Sequence, residues 1–427
     1  MDSLKAKTDQ FLRKTGMHAE CIVPEDALSA FLREMRLGLC GKTSSLPMLP
    51  TYLSVGARPV NRRCIALDAG GTNFRAALLS FDENGVPTVE YKQKMPMPGT
   101  QGRIGKRDFF RQIAEALLPI ADTSDEIGFC FSFPSEILPN REGRLIDFCK
   151  EVLVNDARDM MIGQELNAAL AEYGCAPKRI TILNDTTAAL LSGVSDPALY
   201  DGYIGFILGT GTNVCYAEKT AQIGKIKHPG DSMIVNVEYG MYSGFVRGEF
   251  DRELDARSEI PHDHLAEKMI SGAYFGKLTY LTVCGACREG LFSPEFRSRM
   301  AAVQSFSTVD ISGYISSEPD NLLCSLVNGD PSDAEVLYQI IDNLYDRAAR
   351  LIAVMITAIL TQADCGRFPD RPCAFTAEGS TFIHSPLLRE KLERYTHEWI
   401  EGVHARYYRI LFCEDATLLG CCIASIQ

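Results

Sequence analysis

The stretch Ile65-Ala66-Leu67-Asp68-Ala69-Gly70-Gly71-Thr72-Asn73-Phe74-Arg75 decides the fold. An apolar run leads into an aspartate and two glycines, and a second apolar run begins directly after Arg75. This order predicts a strand, a tight turn and a returning strand, which together form a β-hairpin. Because glycine has no side chain, the tip can bring backbone N–H groups close to an anion. An ordinary β-turn is the alternative interpretation of this stretch on its own.

A second stretch has the same form. Residues 204–208 predict a strand, Gly209-Thr210-Gly211-Thr212-Asn213 a turn, and residues 214–218 a returning strand. Two hairpins of the same chemistry, one in each half of the chain, indicate a duplicated architecture with a ligand held between the halves. A plain glycine-rich hairpin is again the alternative.

Composition limits the classes of function. The length of 427 residues predicts two or three domains, and 46% hydrophobic with 23% charged residues is typical of a soluble globular protein. The net charge of −12 argues against nucleic acid as the main partner, since phosphate contacts need a basic surface. The apolar run at residues 351–360 is too short to cross a bilayer and predicts a buried helix, so no membrane partner is expected.

The cysteines point to a reducing compartment. There are 15 of them, scattered without a disulfide framework, and the first residues do not have the pattern of a signal peptide. We therefore expect a cytoplasmic protein with free thiols. The pair Cys284 and Cys287 has metal-ligand spacing, but neither a second pair nor suitably spaced histidines accompany it, so no protein-held metal is predicted.

Hydrophobic periodicity gives the element order. It predicts helices at residues 2–14, 25–39, 109–120, 162–173, 334–362 and 386–400, and helix starts at 187 and 420. It predicts strands at residues 64–67, 74–81, 86–95, 126–133, 180–183, 204–208, 214–218, 374–376 and 408–413. The breakers Asp196-Pro197 and Asp201-Gly202 mark the expected crossing between two domains.

Several polar residues are candidates for chemistry. Asn184-Asp185-Thr186 follows the predicted strand at 180–183, and a carboxylate at such a strand end faces the crevice where α/β sheets bind ligands. Asp185 is thus a candidate general base, with a helix N-cap as the alternative role. Glu238 and Glu267 are candidate hydrogen-bond acceptors, with surface carboxylates as the alternative. Ser132 closes a strand, where a plain turn is the alternative.

Together these elements resemble the hexokinase family, over nearly the whole chain and in the family's motif order. The matching segments are residues 44–52 (family SSLKMLPTY), 67–75 (LDLGGTNFR, except Ala69), 128–134 (GFTFSFP, except Cys130), 184–186 (NDT), 207–216 (IVGTGTNACY), 234–240 (INMEWG, with Tyr239 for Trp) and 267–276 (EKMISGMYLG). The resemblance implies the actin-like ATPase fold, an α/β architecture of two RNase-H-like domains with a sugar/ATP cleft between them.

The resemblance also implies roles and boundaries. Asp185 corresponds to the catalytic base, and Lys150 to a second catalytic residue. The sugar-binding residues would be Ser132, Phe133, Asn184, Asp185, Asn213, Glu238 and Glu267. The residues that bind the nucleotide would be Asp68, Gly70, Gly71, Thr72, Asn73, Arg75, Gly209, Thr210, Gly211, Gly379 and Ser380. The expected parts are N-terminal helices 1–60 packed on the large domain, a small domain 61–195 with a C-terminal helix 414–427, and a large domain 196–413.

The implied reaction is phosphorylation of a hexose at its 6-hydroxyl by ATP with Mg²⁺, glucose being the leading substrate. Two departures from the family pattern leave alternatives open. The family's DGSGKGAA reads Asp415-Ala416-Thr417-Leu418-Leu419-Gly420-Cys421-Cys422, which leaves the donor open and allows a sugar-binding sensor with little catalysis. Cys149 replaces a threonine before Lys150, which leaves other hexoses open as substrates: mannose, fructose or an N-acetylhexosamine.

Overall fold

The structure is a computed structural model that describes residues 2–148, 152–195, 198–318 and 320–427. Its helices are α1 Asp2–Lys14, α2 Pro24–Leu39, α3 Lys106–Leu117, α4 Ile162–Ala171, α5 Asp185–Ser192, α6 Glu249–Ala256, α7 Leu265–Ile270, α8 Phe275–Arg288, α9 Pro294–Met300, α10 Thr308–Ile315, α11 Leu322–Val327, α12 Pro331–Ala363, α13 Ser380–Ile383, α14 Pro386–Tyr395 and α15 Ala416–Ser425. Its strands are β1 Leu49–Pro50, β2 Arg62–Ala69, β3 Asn73–Phe81, β4 Pro87–Pro96, β5 Ile104–Gly105, β6 Glu126–Phe131, β7 Ser135–Ile137, β8 Gly143–Leu145, β9 Val154–Asn155, β10 Arg179–Leu183, β11 Gly202–Leu208, β12 Thr212–Lys219, β13 Ser232–Asn236, β14 Cys373–Glu378 and β15 Tyr408–Leu411.

Two sheets repeat one topology. The first has the order β4-β3-β2-β6-β10, in which β2, β3 and β4 form an antiparallel meander and β6 and β10 run parallel to β2. The second has the order β13-β12-β11-β14-β15 with the same directions, and β1 extends its edge. Both predicted hairpins are confirmed, as β2–β3 and β11–β12. The duplicated architecture expected from them is therefore present.

Helices α5 and α15 lie between the two sheets. Leu190 of α5 and Leu418 of α15 share one buried cluster with Ala66 of β2 and Ile234 of β13. The backbones approach closely at Gly420, where a Cβ atom would lie 1.9 Å from the Ala188 carbonyl oxygen. Only glycine fits at such a contact.

The outer faces of the sheets are covered by the remaining helices. Helices α3 and α4 pack on the first sheet through Phe109 and Leu166. Helices α1, α2 and the long α12 share the core of the second sheet, with Phe31 and Ile352 fully buried. Over the described residues, no helix combines the length and apolarity that a membrane span needs.

Most predicted elements are present with shifted ends, and some predictions were wrong. Helix α15 begins at Ala416 instead of residue 420. Residues 416–420 of the segment that departs from the family pattern are therefore helical. Strand β6 ends at Phe131, two residues before its predicted end, and α14 ends at Tyr395, where a π-helical turn follows. Helices α6 to α11 and strand β13 were not predicted. Residues 196–197 of the expected domain crossing lie outside the described residues.

Candidate functional site

The tip of the first hairpin is a tight turn held by backbone bonds. The Gly70 N–H donates to the Asn73 carbonyl oxygen at 3.1 Å, and the Met97 N–H donates to the Thr72 carbonyl oxygen at 3.0 Å. The Asn73 side-chain amide donates to the Thr72 hydroxyl at 2.8 Å, and Thr72 is exposed. The tip is thus held by its own Gly70–Asn73 bond and by Met97, which directly follows β4. Thr72 on its outer surface stays exposed.

Asp68 and Arg75 form an ion pair at the base of this tip. The Arg75 Nε donates to Asp68 Oδ2 at 2.7 Å. Burial raises the pKa of Asp68, and the Arg75 charge opposes that rise. Arg75 also lies 3.8 Å from a carboxylate oxygen of Asp415, which in turn pairs with Lys92 at 2.6 Å. The base of the hairpin is therefore tied to the segment that leads into α15.

The second tip is held from two sides. The Gly209 carbonyl oxygen accepts from the Gly272 N–H at 2.8 Å and from the Thr381 hydroxyl at 2.9 Å. Gly379 has a φ of +103°, and a Cβ there would lie 2.4 Å from the Leu208 carbonyl group, so only glycine allows this approach. Thr210 at the tip is exposed, as is Ser380, which opens α13. The predicted residues Gly209, Thr210, Gly211, Gly379 and Ser380 are thus in one region.

Asn184 and Asp185 begin α5 at the end of β10. Asn184 is the N-cap, and its Oδ1 accepts from the Thr186 N–H at 2.9 Å and from the Thr186 hydroxyl at 2.6 Å. The capping interpretation therefore holds for Asn184. Asp185 occupies the first turn, where the helix dipole favours a negative charge. Burial raises the pKa of Glu238, and the charge of Asp185 adds to that rise, so the two carboxylates lie in one environment.

A chain of amides holds Glu238. The Asn213 side-chain amide donates to Asn236 Oδ1 at 2.9 Å, and the Asn236 amide donates to Glu238 Oε1 at 2.7 Å. Burial is the main cause that raises the pKa of Glu238. Its backbone is left-handed, with a φ of +57°. Glu238 is thus not a solvated surface carboxylate, and Asn236 is a site residue that the sequence prediction missed.

Glu267 supports the second hairpin. Its Oε2 accepts from the Thr212 N–H at 2.9 Å. A Cβ at Gly211 would lie 2.6 Å from the same oxygen, so the glycine makes room for the carboxylate. This half-buried position on α7 places Glu267 beside the same turn as Asn213.

The segment after β6 divides into a polar and an apolar part. The Ser132 N–H donates to the Ala69 carbonyl oxygen at 3.1 Å, which puts Ser132 beside the first hairpin. The Phe133 ring is only 4% exposed and packs at 4.9 Å on Phe148 in an aromatic cluster. The ring of Phe133 is thus part of the core. Lys150 and Cys149 lie outside the described residues.

Glu378 is a further carboxylate that the sequence prediction missed. It ends β14 directly before Gly379, and the Thr417 hydroxyl donates to its Oε2 at 3.4 Å. Burial raises the pKa of Glu378 to about 7, and the charge of Asp185 adds to this. An acidic residue at the carboxyl end of a parallel strand was the available signal, since the same rule had pointed to Asp185.

The segment at residues 415–422, which departs from the family pattern, contacts both the core and Glu378. Leu418 is fully buried and Leu419 is 7% exposed, and both pack in the cluster between the sheets. Their side chains therefore belong to the core of the fold. Thr417 keeps its hydroxyl on Glu378.

The carboxylates near the two tips suit an ion that is bound mainly by phosphate. The described ranges contain no group of three or more His, Cys, Asp or Glu side chains placed to hold a metal by themselves. Mg²⁺ usually keeps several waters and binds through one or two carboxylates plus substrate phosphates. Asp68, near the end of β2, and Asp185, in the first turn of α5, are the carboxylates that fit that mode of binding.

The repeated sheet, the two glycine tips and the carboxylates near them define the actin-like ATPase fold. The sequence profiles of the family described as Hexokinase match residues 9–194 and 203–427. The chain belongs to the hexokinase family.

Individual relatives agree with this assignment. Hexokinase-2 of Homo sapiens is 28% identical over 430 residues, which cover 94% of this chain and 46% of that protein, so the chain spans about half the length of such relatives. Hexokinase from Schistosoma mansoni complexed with glucose superposes with a TM-score of 0.77 at 22% identity, covering 100% of this chain and 99% of that one. Another hexokinase crystal structure gives a TM-score of 0.80 at 23% identity, covering 100% of both chains.

Proposed function

We propose that this chain is a hexokinase that transfers the γ-phosphoryl group of ATP to the 6-hydroxyl of a hexose. The observation that carries the proposal is the Asn213–Asn236–Glu238 network, which joins the second hairpin to a carboxylate that shares its surroundings with Asp185. Family membership and the fold support it. The glucose in the Schistosoma mansoni hexokinase makes glucose the first substrate to test.

Asp185 is the proposed base. Its place in the first turn of α5 favours the ionised carboxylate, which is the form that can accept the proton of the attacking hydroxyl. A positioned base of this kind contributes about 10²–10⁴-fold to the rate. Lys150 stays in the proposal as a second catalytic residue.

The sugar would be held by the amide and carboxylate groups around Asp185. Each hexose hydroxyl both donates and accepts, while a carboxylate only accepts and an amide does both. Glu238 and Glu267 are the proposed acceptors, and Asn213 offers its amide from the second hairpin. Asn184 and Ser132 complete the proposed set, in which the Phe133 ring takes no part.

The nucleotide would lie between the two tips. Phosphoryl transfer depends mostly on positioning and on neutralising charge. The backbone N–H group of Gly71, with the hydroxyls of Thr72 and Thr210, is suited to phosphate oxygens, while the Gly70 N–H holds the turn by donating to the Asn73 carbonyl oxygen. Mg²⁺, bound through those oxygens and one or two of the nearby carboxylates, would neutralise the developing charge.

The domain division stays part of the proposal. We assign residues 61–195 with 414–427 to the small domain and 196–413 to the large domain, with helices of 1–60 packed on the latter. Closure of these domains would exclude water, the competing phosphoryl acceptor. The cysteines that the structure describes are all free thiols, which supports a reducing compartment such as the cytoplasm.

The test is a substrate panel on purified protein. Glucose, mannose, fructose and N-acetylglucosamine would each be incubated with ATP and Mg²⁺, and the product identified by phosphorus NMR. A hexose 6-phosphate from at least one sugar is expected. Tight sugar binding by calorimetry without any phosphorylated product would contradict the proposal and favour the sugar-binding sensor.

A further inference from the structure

Helix α5 carries Asp185 in its first turn and is held at its other end by Arg58. The Arg58 Nε donates to the Val194 carbonyl oxygen at 2.5 Å, and the Arg58 Nη2 donates to the Ser192 carbonyl oxygen at 3.2 Å. Ser192 is the last residue of α5, and the final carbonyls of a helix have no partner within it. A cation at this end also interacts favourably with the helix dipole. None of the roles assigned above uses Arg58.

The arginine belongs to a connection between the two sheets. Residues 51–61 lead from β1 of the second sheet to β2 of the first. Another connection, residues 412–415, leads from β15 into α15, and its Cys413 thiol donates to the same Ser192 carbonyl oxygen at 3.7 Å. The carboxyl end of α5 begins the connection to β11, so three connections meet at this point.

The neighbours along α5 leave a role for its ends. A Cβ at Gly205 of β11 would lie 2.3 Å from the Thr186 carbonyl oxygen, and Gly420 of α15 approaches Ala188 in the same way. These glycine contacts set the distance between α5 and its neighbours, but they supply no side chain that would fix the helix along its axis. The helix has eight residues and is about 12 Å long, so a displacement of its carboxyl end is transmitted to Asp185.

We propose that Arg58 is a positioning residue, which fixes α5 from its carboxyl end and thereby holds the Asp185 carboxylate in place for proton transfer. This rests on the proposed function insofar as Asp185 is the base. Arg58 acts through the helix and not on the reacting groups. The effect on the rate can be large, because a misplacement of about 1 Å caused by a distant mutation can cost about 10²-fold.

The experiment compares the kinetics of Arg58→Met and Arg141→Met in the full chain. Arg141 holds the same connection by donating to the Tyr52 carbonyl oxygen at 3.2 Å, but its other bond goes to Gln427 instead of α5. With hexose, ATP and Mg²⁺, we expect kcat to fall about tenfold or more in Arg58→Met, with a smaller change in the KM for the hexose. Arg58→Lys keeps a cation that can reach a carbonyl oxygen and should recover part of the loss. Equal kcat values in the two methionine variants would overturn the proposal.

Hydrogen exchange supplies a second arm that needs no turnover. The amides of residues 185–194 should exchange faster in Arg58→Met than in Arg141→Met, because the end of α5 opens more readily without the arginine. Thermal unfolding of each variant shows that it is folded. If the wild type has no kinase activity, the proposed function fails, and the exchange arm alone decides whether Arg58 fixes α5. Unchanged exchange would overturn the proposal in either case, and faster exchange with wild-type kcat would contradict the positioning of Asp185.

Discussion

Asp68 and Arg75 face each other in register across the first hairpin, and the guanidinium contacts one carboxylate oxygen at 2.6 and 2.7 Å. Their strands bracket the glycine tip, so this pair sets the spacing at the base of the proposed first phosphate loop. The carboxylate is buried, and without Arg75 it would be a buried charge with no positive partner.

Arg75→Met should therefore destabilise the protein, by less than the about 3–5 kcal/mol that breaking a fully buried pair costs, because the Arg75 side chain is 30% exposed. The pKa of Asp68 is already raised by burial, and the loss of Arg75 raises it further. When the pKa of a carboxyl group is higher in the folded protein than in the unfolded chain, the protonated group favours folding at pH values below the unfolded-state pKa. This contribution to stability is lost as the pH rises through the folded-state pKa. The deficit should thus be larger at pH 8 than at pH 5 in urea unfolding. Arg75→Lys, which keeps the charge, is the control, and an equal deficit at both pH values would refute this explanation.

A fully buried ion pair joins α6 to α12. Arg347 donates to Asp251 Oδ2 at 2.6 Å, and both side chains are at most 3% exposed. Asp251→Ala leaves the guanidinium buried without its carboxylate, so we expect a loss of about 3–5 kcal/mol in unfolding free energy. Asp9→Ala, which breaks an exposed pair on α1, should have little effect. Comparable losses in the two variants would show that burial does not govern the effect.

Gly379→Ala should weaken the second tip. The backbone φ of +103° strains any other residue, and the new Cβ would meet the Leu208 carbonyl group at 2.4 Å. Strain of this kind costs about 1–3 kcal/mol, and the affinity for ATP should fall because the tip must move. Gly56→Ala meets its nearest atom at 3.9 Å and is the matched control. Calorimetry and thermal unfolding would measure both; wild-type ATP affinity in Gly379→Ala would count against a nucleotide-binding tip.

Tyr239→Phe should stabilise the protein. Tyr239 replaces the tryptophan of the family motif, and its hydroxyl is buried without a hydrogen-bond partner among the described residues. An unsatisfied buried group costs about 1–3 kcal/mol, which the phenylalanine recovers. Tyr216→Phe is the opposite case, because that hydroxyl donates to Glu218 at 2.7 Å. The melting temperature should rise in the first variant and fall in the second, and a fall in both would show that the Tyr239 hydroxyl is satisfied.

Local signals explain what the sequence could predict. Short contiguous sequence patterns encode the glycine tips and the strand before Asp185. Both hairpins and the start of α5 could therefore be predicted from the sequence. Glu378 was missed although it ends a parallel strand, the signal that had pointed to Asp185. Asn236 was missed because only the folded structure shows its amide between Asn213 and Glu238. The Phe133 ring was assigned to the sugar by motif, and only packing on Phe148 shows that it is core.

The start of α15 shows the same limit. Residues 415–420 correspond to a glycine-rich family segment, yet Leu418 and Leu419 find apolar partners between the sheets and extend the helix back to Ala416. Tertiary burial thus decided the conformation of this segment.

The most direct test of the proposed reaction is the turnover of Asp185→Asn at saturating hexose, ATP and Mg²⁺, with hexose affinity measured in parallel by calorimetry. Asparagine has nearly the same shape as aspartate but cannot accept the proton of the 6-hydroxyl. We expect kcat to fall by about 10²–10⁴-fold while the affinity for the hexose changes only a few-fold. Wild-type turnover in this variant would contradict the assignment of Asp185 as the base.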